Sequence, residues 1–227
     1  AAPATNWFHA EGRTGPFFDT YILIGNPGHA PANVNVRFLR AGDTPLTTSL
    51  TVGPQSRETI YVDGIPGLPN NDVSTEVTSD VPVISERSLY WSGGFDTWYE
   101  AHNSFGVTST GLAWGLAEGR FGFAQLFETY ILLTNPTATP TRVRVTFLRQ
   151  GSRAPVVFEQ SLAANERANV DMSHLLTAPD YDIAGERFGA IIESLDGVGI
   201  AVERAMYFST GADRRRARHV LGRRRTV

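Results

Sequence analysis

The stretch FDTYILIGNP at residues 18–27 decides the fold, because it returns as FETYILLTNP at residues 127–136. Seven of the ten positions are identical, at a shift of 109 residues. In both copies a β-branched and aromatic run ends at Asn-Pro, which is the pattern of a strand that stops in a turn. The chain therefore contains a tandem duplication, since self-similarity at a fixed period indicates repeated structural units.

Further matches flank this stretch on both sides and keep the same order along the chain. The matched pairs are Trp7 with Trp114, residues 10–13 with 117–120, residues 34–40 with 143–149, and residues 86–90 with 203–207. The shift grows only by loop-sized amounts. We place the boundary within the Gly-, Ser- and Thr-rich residues 106–111. This gives a first repeat at residues 1–107 and a second repeat, with an Arg-rich end, at residues 108–227.

Each repeat is predicted to be all-β. Residues 33–38 and 142–147 alternate strictly between polar and apolar side chains, as half-buried strands do. Roughly seven short strands, separated by turn residues, fit into each repeat, and no sustained helical period is present. This spacing indicates two tandem immunoglobulin-like antiparallel β-sandwich domains.

The repeated pattern is Trp-x-x-Ala-Glu-Gly, then Phe-[Asp/Glu]-Thr-Tyr-Ile-Leu-x-x-Asn-Pro, then Glu-Arg. It resembles a largely uncharacterised bacterial tandem-repeat β-domain family, whose members occur in arrays within long secreted or surface-attached proteins. The resemblance covers almost the whole chain and implies an immunoglobulin-like repeat located extracellularly or at the bacterial cell surface. It brings no catalytic residues with it. After Tyr207 and Phe208 the second repeat departs from the pattern, because Arg-rich sequence replaces the expected Gly-Gly-His-type ending.

The composition excludes several classes of function. Cysteine is absent, which removes disulfides, thiolate nucleophiles and Cys-ligated metals. All 20 basic residues are Arg, so lysine Schiff-base chemistry and a P-loop lysine are excluded as well. The five His lack His-x-His and His-Glu-x-x-His spacing, and no Gly-x-Ser-x-Gly occurs. We expect no enzyme activity, no cofactor, no bound metal and no transmembrane segment.

Four carboxylates recur between the repeats, Glu11 with Glu118 and Glu86 with Glu203. Paired carboxylates can serve glycoside hydrolysis or bind calcium. However, the chain lacks Asp-rich calcium loops, and two of the Glu residues directly precede Arg within predicted strands. We therefore favour structural ion pairs for these residues.

Aromatic residues cluster around the Gly-Gly turn at residues 93–94. The candidate interaction residues here are Trp91, Phe95, Trp98 and Tyr99. Three interpretations remain open. The rings stack on a sugar, form a contact between copies of the chain, or pack within the molecule.

The formal net charge of −3 conceals two oppositely charged parts. Residues 1–213 contain 13 Arg and all 23 acidic residues, a net charge of −10. Residues 214–227 contain seven Arg and no acidic residue. The seven are Arg214, Arg215, Arg216, Arg218, Arg223, Arg224 and Arg225.

Arg side chains stack on aromatic rings and pair with carboxylates. One hypothesis is therefore that the Arg-rich end of one copy docks on the acidic, aromatic surface of the next. A contact of this kind that does not close into a ring produces a filament. The alternatives are binding to a surface polysaccharide or another anionic surface, and a solvated tail. No nucleic-acid-binding module accompanies the Arg run, so nucleic acid is not an expected partner.

The sequence thus favours an extracellular structural and interaction protein that assembles head to tail, as a homopolymer, into a surface fibre. A carbohydrate-binding or adhesive module is the alternative. Residues 1–6 occupy the place of the linker before Trp114, so we expect either a mature subunit or a slice of a longer array. Residues 1–7 and 222–227 are candidates for a strand donated to a neighbouring copy.

Overall fold

The chain is all-β in a computed structural model that describes residues 1–91, 98–122, 127–151, 153–170, 175, 183 and 185–208. The strands of the first repeat are β1 (Ala4–His9), β2 (Phe18–Asn26), β3 (Ala32–Arg40), β4 (Asp43–Val52), β5 (Ser56–Tyr61), β6 (Ser74–Trp91) and β7 (Glu100–Phe105). Those of the second are β8 (Ala113–Arg120), β9 (Glu128–Asn135), β10 (Thr141–Arg149), β11 (Val156–Leu162), β12 (Glu166–Asn169), β13 (Arg187–Ser194) and β14 (Ala201–Tyr207). A short 3-10 helix spans Val62–Gly64. Among the described residues no helix is long and apolar enough to span a membrane.

The long strand β6 organises the first repeat. The order of the main path is β4-β3-β6-β2-β5, and β1 and β7 also pair with β6. The first part of β6 lies antiparallel to β1 and β3, and its last part lies antiparallel to β2 and β7. The sequence predicts two strands here, residues 73–78 and 81–91, and the structure joins them across Pro82 into one strand of 18 residues.

The arrangement of β1 to β6 recurs in the second repeat with the long strand divided, and β7 has no counterpart among the described residues. Its four-stranded sheet has the order β11-β10-β13-β8, and its three-stranded sheet the order β12-β9-β14. Register confirms the equivalence, because Ile22 lies opposite Arg87 in the first repeat and Ile131 lies opposite Arg204 in the second. β13 and β14 thus correspond to the two parts of β6.

Each repeat has its own apolar core. The alternating residues of β3 contribute Val34, Val36 and Phe38, and those of β10 contribute Val143, Val145 and Phe147. These side chains pack against β2 and β9 respectively, for example against Ile22 and Ile131, because one face of each strand is apolar.

β1 and β8 were not predicted as strands. Their sequences lack the alternation that marks a half-buried strand. Tertiary contacts hold them instead, since Trp7 Nε1 donates to the carbonyl of Val83 and Trp114 Nε1 to that of Ile200, each over 2.9 Å. The segment Ala4–His9, part of which is a candidate donated strand, pairs with β6 of its own chain.

The chain passes from one repeat to the other between Val107 and Gly111. Val107 forms a β-bridge with Phe8, and Gly111 forms one with Ile200. Residues 108–110, within the predicted linker at residues 106–111, therefore lie between the last described pairing of the first repeat and the first pairing of the second.

Candidate functional site at the junction of the repeats

The two repeats meet at a buried arginine. Arg87, on β6, is 1% exposed. Its Nη2 atom lies 2.5 Å from Glu11 Oε2 in the first repeat, and its Nη1 atom lies 2.7 Å from Glu203 Oε2 in the second. The backbone N–H of Glu11 also donates to Glu203 Oε2, over 2.6 Å. The charged triad of Glu11, Arg87 and Glu203 therefore holds β14 against the first repeat.

The electrostatics of this triad are those of a structural cluster. Burial raises the pKa of Glu203, although Arg87 and the N–H of Glu11 oppose this effect. Burial by itself lowers the pKa of Arg87, but the charges of Glu11 and Glu203 outweigh it and the net shift is upward. Because one guanidinium pairs with a carboxylate from each repeat, the cluster holds the two surfaces together. The structure supports the ion-pair interpretation of Glu11 and Glu203.

Apolar and aromatic side chains surround the triad. Tyr207 lies edge-on to Trp91, with ring centroids 5.6 Å apart, and its hydroxyl donates to Glu11 Oε1 over 3.2 Å. Burial, and then the charge of Glu11, raise the pKa of Tyr207 well above its ordinary value. We call the two surfaces the Arg87 face, consisting of Ala10, Glu11, Phe18, Arg87 and Trp91, and the Glu203 face, consisting of Tyr130, Leu132, Glu203, Ala205 and Tyr207.

Two further arginines cross the junction. Arg37 Nη2 donates to Asn165 Oδ1 over 2.6 Å, and Arg167 Nη1 lies 2.9 Å from Asp72 Oδ2. Arg167 is 4% exposed; burial lowers its pKa, and Asp72 opposes this shift. Sequence reasoning missed both residues, because Arg37 is replaced by Thr146 in the second repeat and the segment around Arg167 shows no extended match to the first. Arg167 aligns in register with Arg57, which is exposed on β5.

A second group of aromatic side chains lies on the other face of the pairing between β2 and β6. Side chains alternate along a strand, so Tyr21 and Tyr90 project away from the face that carries Arg87. Tyr21 stacks on Tyr61 of β5 with ring centroids 5.0 Å apart, and Trp98 lies 5.0 Å from Tyr90.

Asp19 fixes two of these rings by accepting a hydrogen bond from each. Tyr61 Oη donates to Asp19 Oδ1 over 2.7 Å, and Trp98 Nε1 donates to Asp19 Oδ2 over 2.6 Å. The hydrogen bond to Asp19, followed by burial, raises the pKa of the Tyr61 phenol. Tyr61 and Trp98 remain 44% and 48% exposed, so their orientation is fixed while much of their surface faces solvent.

The predicted interaction residues are thus separated. Trp91 lies in the junction and donates from Nε1 to Glu100. Trp98 belongs to the exposed aromatic group, and Tyr99 is 63% exposed. Phe95 and the seven Arg of the C-terminal segment lie outside the described residues; the seven are Arg214, Arg215, Arg216, Arg218, Arg223, Arg224 and Arg225.

Sequence reasoning did not single out Asp19, Tyr21 or Tyr61 as part of an aromatic surface. A signal was present for two of them, because Asp19 and Tyr21 are two positions apart on one strand and therefore share a face. Tyr61 joins them through the pairing of β5 with β2, which sequence spacing alone does not reveal.

The histidines do not form a metal site in the described part of the chain, where no group of three or more potential ligands comes together. His9 is fully buried, and its Nε2 atom lies 2.9 Å from Ser85 Oγ. Burial, assisted by the charge of Arg87, lowers the pKa of His9 to about 3, so this side chain is neutral in the folded protein.

No family model matches the chain, and no curated protein matches it. Solved structures that resemble part of it include the following two. One is described as the crystal structure of Thermotoga maritima 1070, with 19% identity, 46% of this chain and 94% of that chain covered, and a TM-score of 0.43. The other is the Anabaena sensory rhodopsin transducer, which is 22% identical. The match covers 37% of this chain and 87% of that chain, with a TM-score of 0.34. At these scores neither likeness identifies a function.

Proposed function

We propose that the chain consists of two tandem immunoglobulin-like β-sandwich domains, residues 1–107 and 108–227, that act as a structural and interaction protein. The antiparallel strands and the separate core of each repeat support this division. Each core takes side chains from both groups of strands in its repeat, as a sandwich requires. The resemblance to repeats of secreted and surface-attached proteins favours an extracellular location at a bacterial cell surface.

The proposed activity is head-to-tail self-assembly into a fibre. The observation that carries it is the exposed aromatic group of the first repeat, which is held around Asp19 on the surface opposite the junction. Aromatic side chains with fixed orientation are the anchors that protein interfaces prefer, because little conformational entropy is lost when they dock. The carboxylate of Asp19 gives this surface negative charge, which complements the seven Arg of residues 214–227.

Sedimentation velocity of the intact chain over a wide range of concentration tests this proposal, together with negative-stain micrographs of the most concentrated sample. Head-to-tail assembly predicts a series of oligomers that lengthens with concentration, and filaments in the micrographs. A single monomeric species with two lobes at all concentrations would exclude self-assembly.

Carbohydrate binding is a second candidate, and the exposed faces of Tyr61 and Trp98 favour it. Aromatic rings that are held in a fixed orientation beside polar groups are suited to stacking on sugar rings. Titration of the intrinsic Trp fluorescence with soluble polysaccharides tests this candidate. Trp98→Ala should abolish any response, whereas Trp114→Phe, in the second repeat, should retain it. No change in fluorescence with any polysaccharide would exclude it.

A further inference from the structure

The Arg87 face of the junction has an equivalent surface in the second repeat. The residues equivalent to the Arg87 face are Ala117, Glu118, Phe127, Arg204 and Phe208, which we call the Arg204 face. Its local geometry is the same. Arg204 Nη1 donates to the carbonyl of Glu118 over 2.8 Å, as Arg87 Nη1 does to the carbonyl of Glu11 over 3.1 Å.

Aromatic packing follows the same pattern. Phe127 stacks on Phe208 with ring centroids 5.3 Å apart, where Phe18 lies 6.1 Å from Trp91 in the first repeat. Exposure is what differs. Glu11 is buried, whereas the side chain of Glu118 is 66% exposed, and Phe208 is 60% exposed. In the described part of the chain, Arg204 forms an ion pair with Glu118, whereas Arg87 pairs with two carboxylates.

The complementary surface is also present twice. The residues equivalent to the Glu203 face are Tyr21, Leu23, Glu86, Ser88 and Tyr90, which we call the Glu86 face. Their register is identical. Leu23 lies opposite Glu86 and Asp19 opposite Tyr90, as Leu132 lies opposite Glu203 and Glu128 opposite Tyr207. Tyr21 and Tyr90 of this face belong to the aromatic group described above, and Glu86 forms no ion pair with any described residue.

We infer that the Glu86 face of one copy docks on the Arg204 face of a second copy, and so reproduces between chains the junction that joins the repeats within a chain. This inference rests on the proposed self-assembly and specifies its interface. Glu86 takes the place of Glu203 and binds Arg204 and the backbone N–H of Glu118 in the second copy. Tyr90 takes the place of Tyr207 and packs on Phe127 and Phe208.

The charges and the symmetry of this contact agree with head-to-tail growth. Glu86 supplies the second carboxylate that Arg204 lacks relative to Arg87. The two faces are different surfaces on different repeats, so the contact is heterologous, and each added copy exposes a new Arg204 face. Two additional rings, Tyr61 and Trp98, lie beside Tyr21 and Tyr90 and enlarge the aromatic surface that meets the second copy.

The test uses sedimentation velocity of the intact chain and two charge reversals, Glu86→Arg and Arg204→Glu. Each should weaken self-association about 30-fold or more, because each leaves a charge without its partner in the contact. The double variant carrying both reversals should regain self-association. Glu159→Arg reverses an exposed carboxylate on β11 and serves as the matched control, which should associate as the unchanged protein does.

Mixing the two single variants gives the sharpest result. Glu86→Arg retains an intact Arg204 face, and Arg204→Glu retains an intact Glu86 face. The two reversed faces also complement each other, as they do in the double variant, so the mixture should form the lengthening oligomers that neither single variant forms alone. Circular dichroism checks that each variant is folded. If Arg204→Glu does not fold, the milder change Glu86→Gln replaces it in the test and should also weaken association. If the Glu86→Arg and Glu86→Gln variants assemble as the unchanged protein does, this interface is overturned and self-assembly stands. Unchanged protein that stays monomeric would overturn both.

Discussion

Arg87 Nη1 and Glu203 Oε2 lie 2.7 Å apart across the junction of the two repeats. Both residues belong to the repeated Glu-Arg motif, but they come from different copies of it. The same motif therefore serves two purposes, since its arginine binds a carboxylate of its own repeat and its glutamate binds the arginine of the repeat before it. A motif with this property can join any number of repeats in one direction.

Replacing Arg87 should cost far more stability than replacing its counterpart Arg204. Arg87→Ala leaves Glu11 and Glu203 buried without a cation, and breaking such a cluster costs about 3–5 kcal/mol. Arg204→Ala disrupts a pair that is partly exposed and should cost about 1 kcal/mol or less. Urea unfolding of both variants measures the difference. Equal losses for the two variants would show that the junction contributes no special stability.

Buried His9 predicts a specific dependence of stability on pH. Its pKa is about 3 in the folded protein and about 6.5 in an unfolded chain. Between these values the unfolded chain binds a proton that the folded protein does not. The contribution of His9 to stability is therefore fully present above about pH 6.5 and is lost as the pH falls towards 3, with a slope of up to about 1.4 kcal/mol per pH unit.

His9→Gln isolates this contribution, because the other titrating groups are the same in both proteins. The free energy of unfolding of the variant, from urea titrations at several pH values between about 6.5 and 5, should have the smaller slope. Parallel curves for the two proteins would mean that His9 becomes protonated in the folded state as readily as in the unfolded state.

Much of the fold was predictable because it depends on local pattern. The alternation of residues 33–38 and 142–147 predicted β3 and β10, and the Asn-Pro turn is stabilised as expected, with Asn26 Nδ2 donating to the carbonyl of Ala30 over 2.8 Å. β1 and β8 were missed because indole hydrogen bonds to distant carbonyls hold them, which no local pattern encodes.

The junction was predictable only in part. The recurring Glu and Arg residues indicated ion pairs, and Arg87 forms such pairs with Glu11 and with Glu203. Which copy of a repeated residue pairs with which depends on how the repeats dock, and spacing along the chain does not determine that. The same limit explains Arg37 and Arg167, whose equivalents in the other repeat are Thr146 and Arg57.

The glycine of the Ala-Glu-Gly motif should be intolerant of a side chain. A Cβ atom at Gly12 would lie 2.6 Å from the carbonyl oxygen of Val73, a backbone atom that cannot move aside without shifting the chain just before β6. Gly12→Ala should therefore cost about 1–3 kcal/mol, as overpacking of a close contact does. Gly25→Ala is the matched control, because nothing lies within 4 Å of its Cβ position. Thermal unfolding midpoints compare the two; a Gly12→Ala midpoint equal to that of Gly25→Ala would contradict the close approach.

The Arg-rich end predicts that assembly depends on charge. If residues 214–227 contribute to the contact between copies, Arg214→Glu combined with Arg215→Glu should shift the protein towards monomer in sedimentation velocity. Arg142→Glu combined with Arg144→Glu makes the same change in net charge on the outward-facing side of β10 and should leave assembly unchanged. Added salt should weaken the assembly of the unchanged protein, because it screens attraction between exposed charges. If neither the charge reversal at Arg214 and Arg215 nor added salt changes the assembly, the Arg-rich end takes no part in the contact.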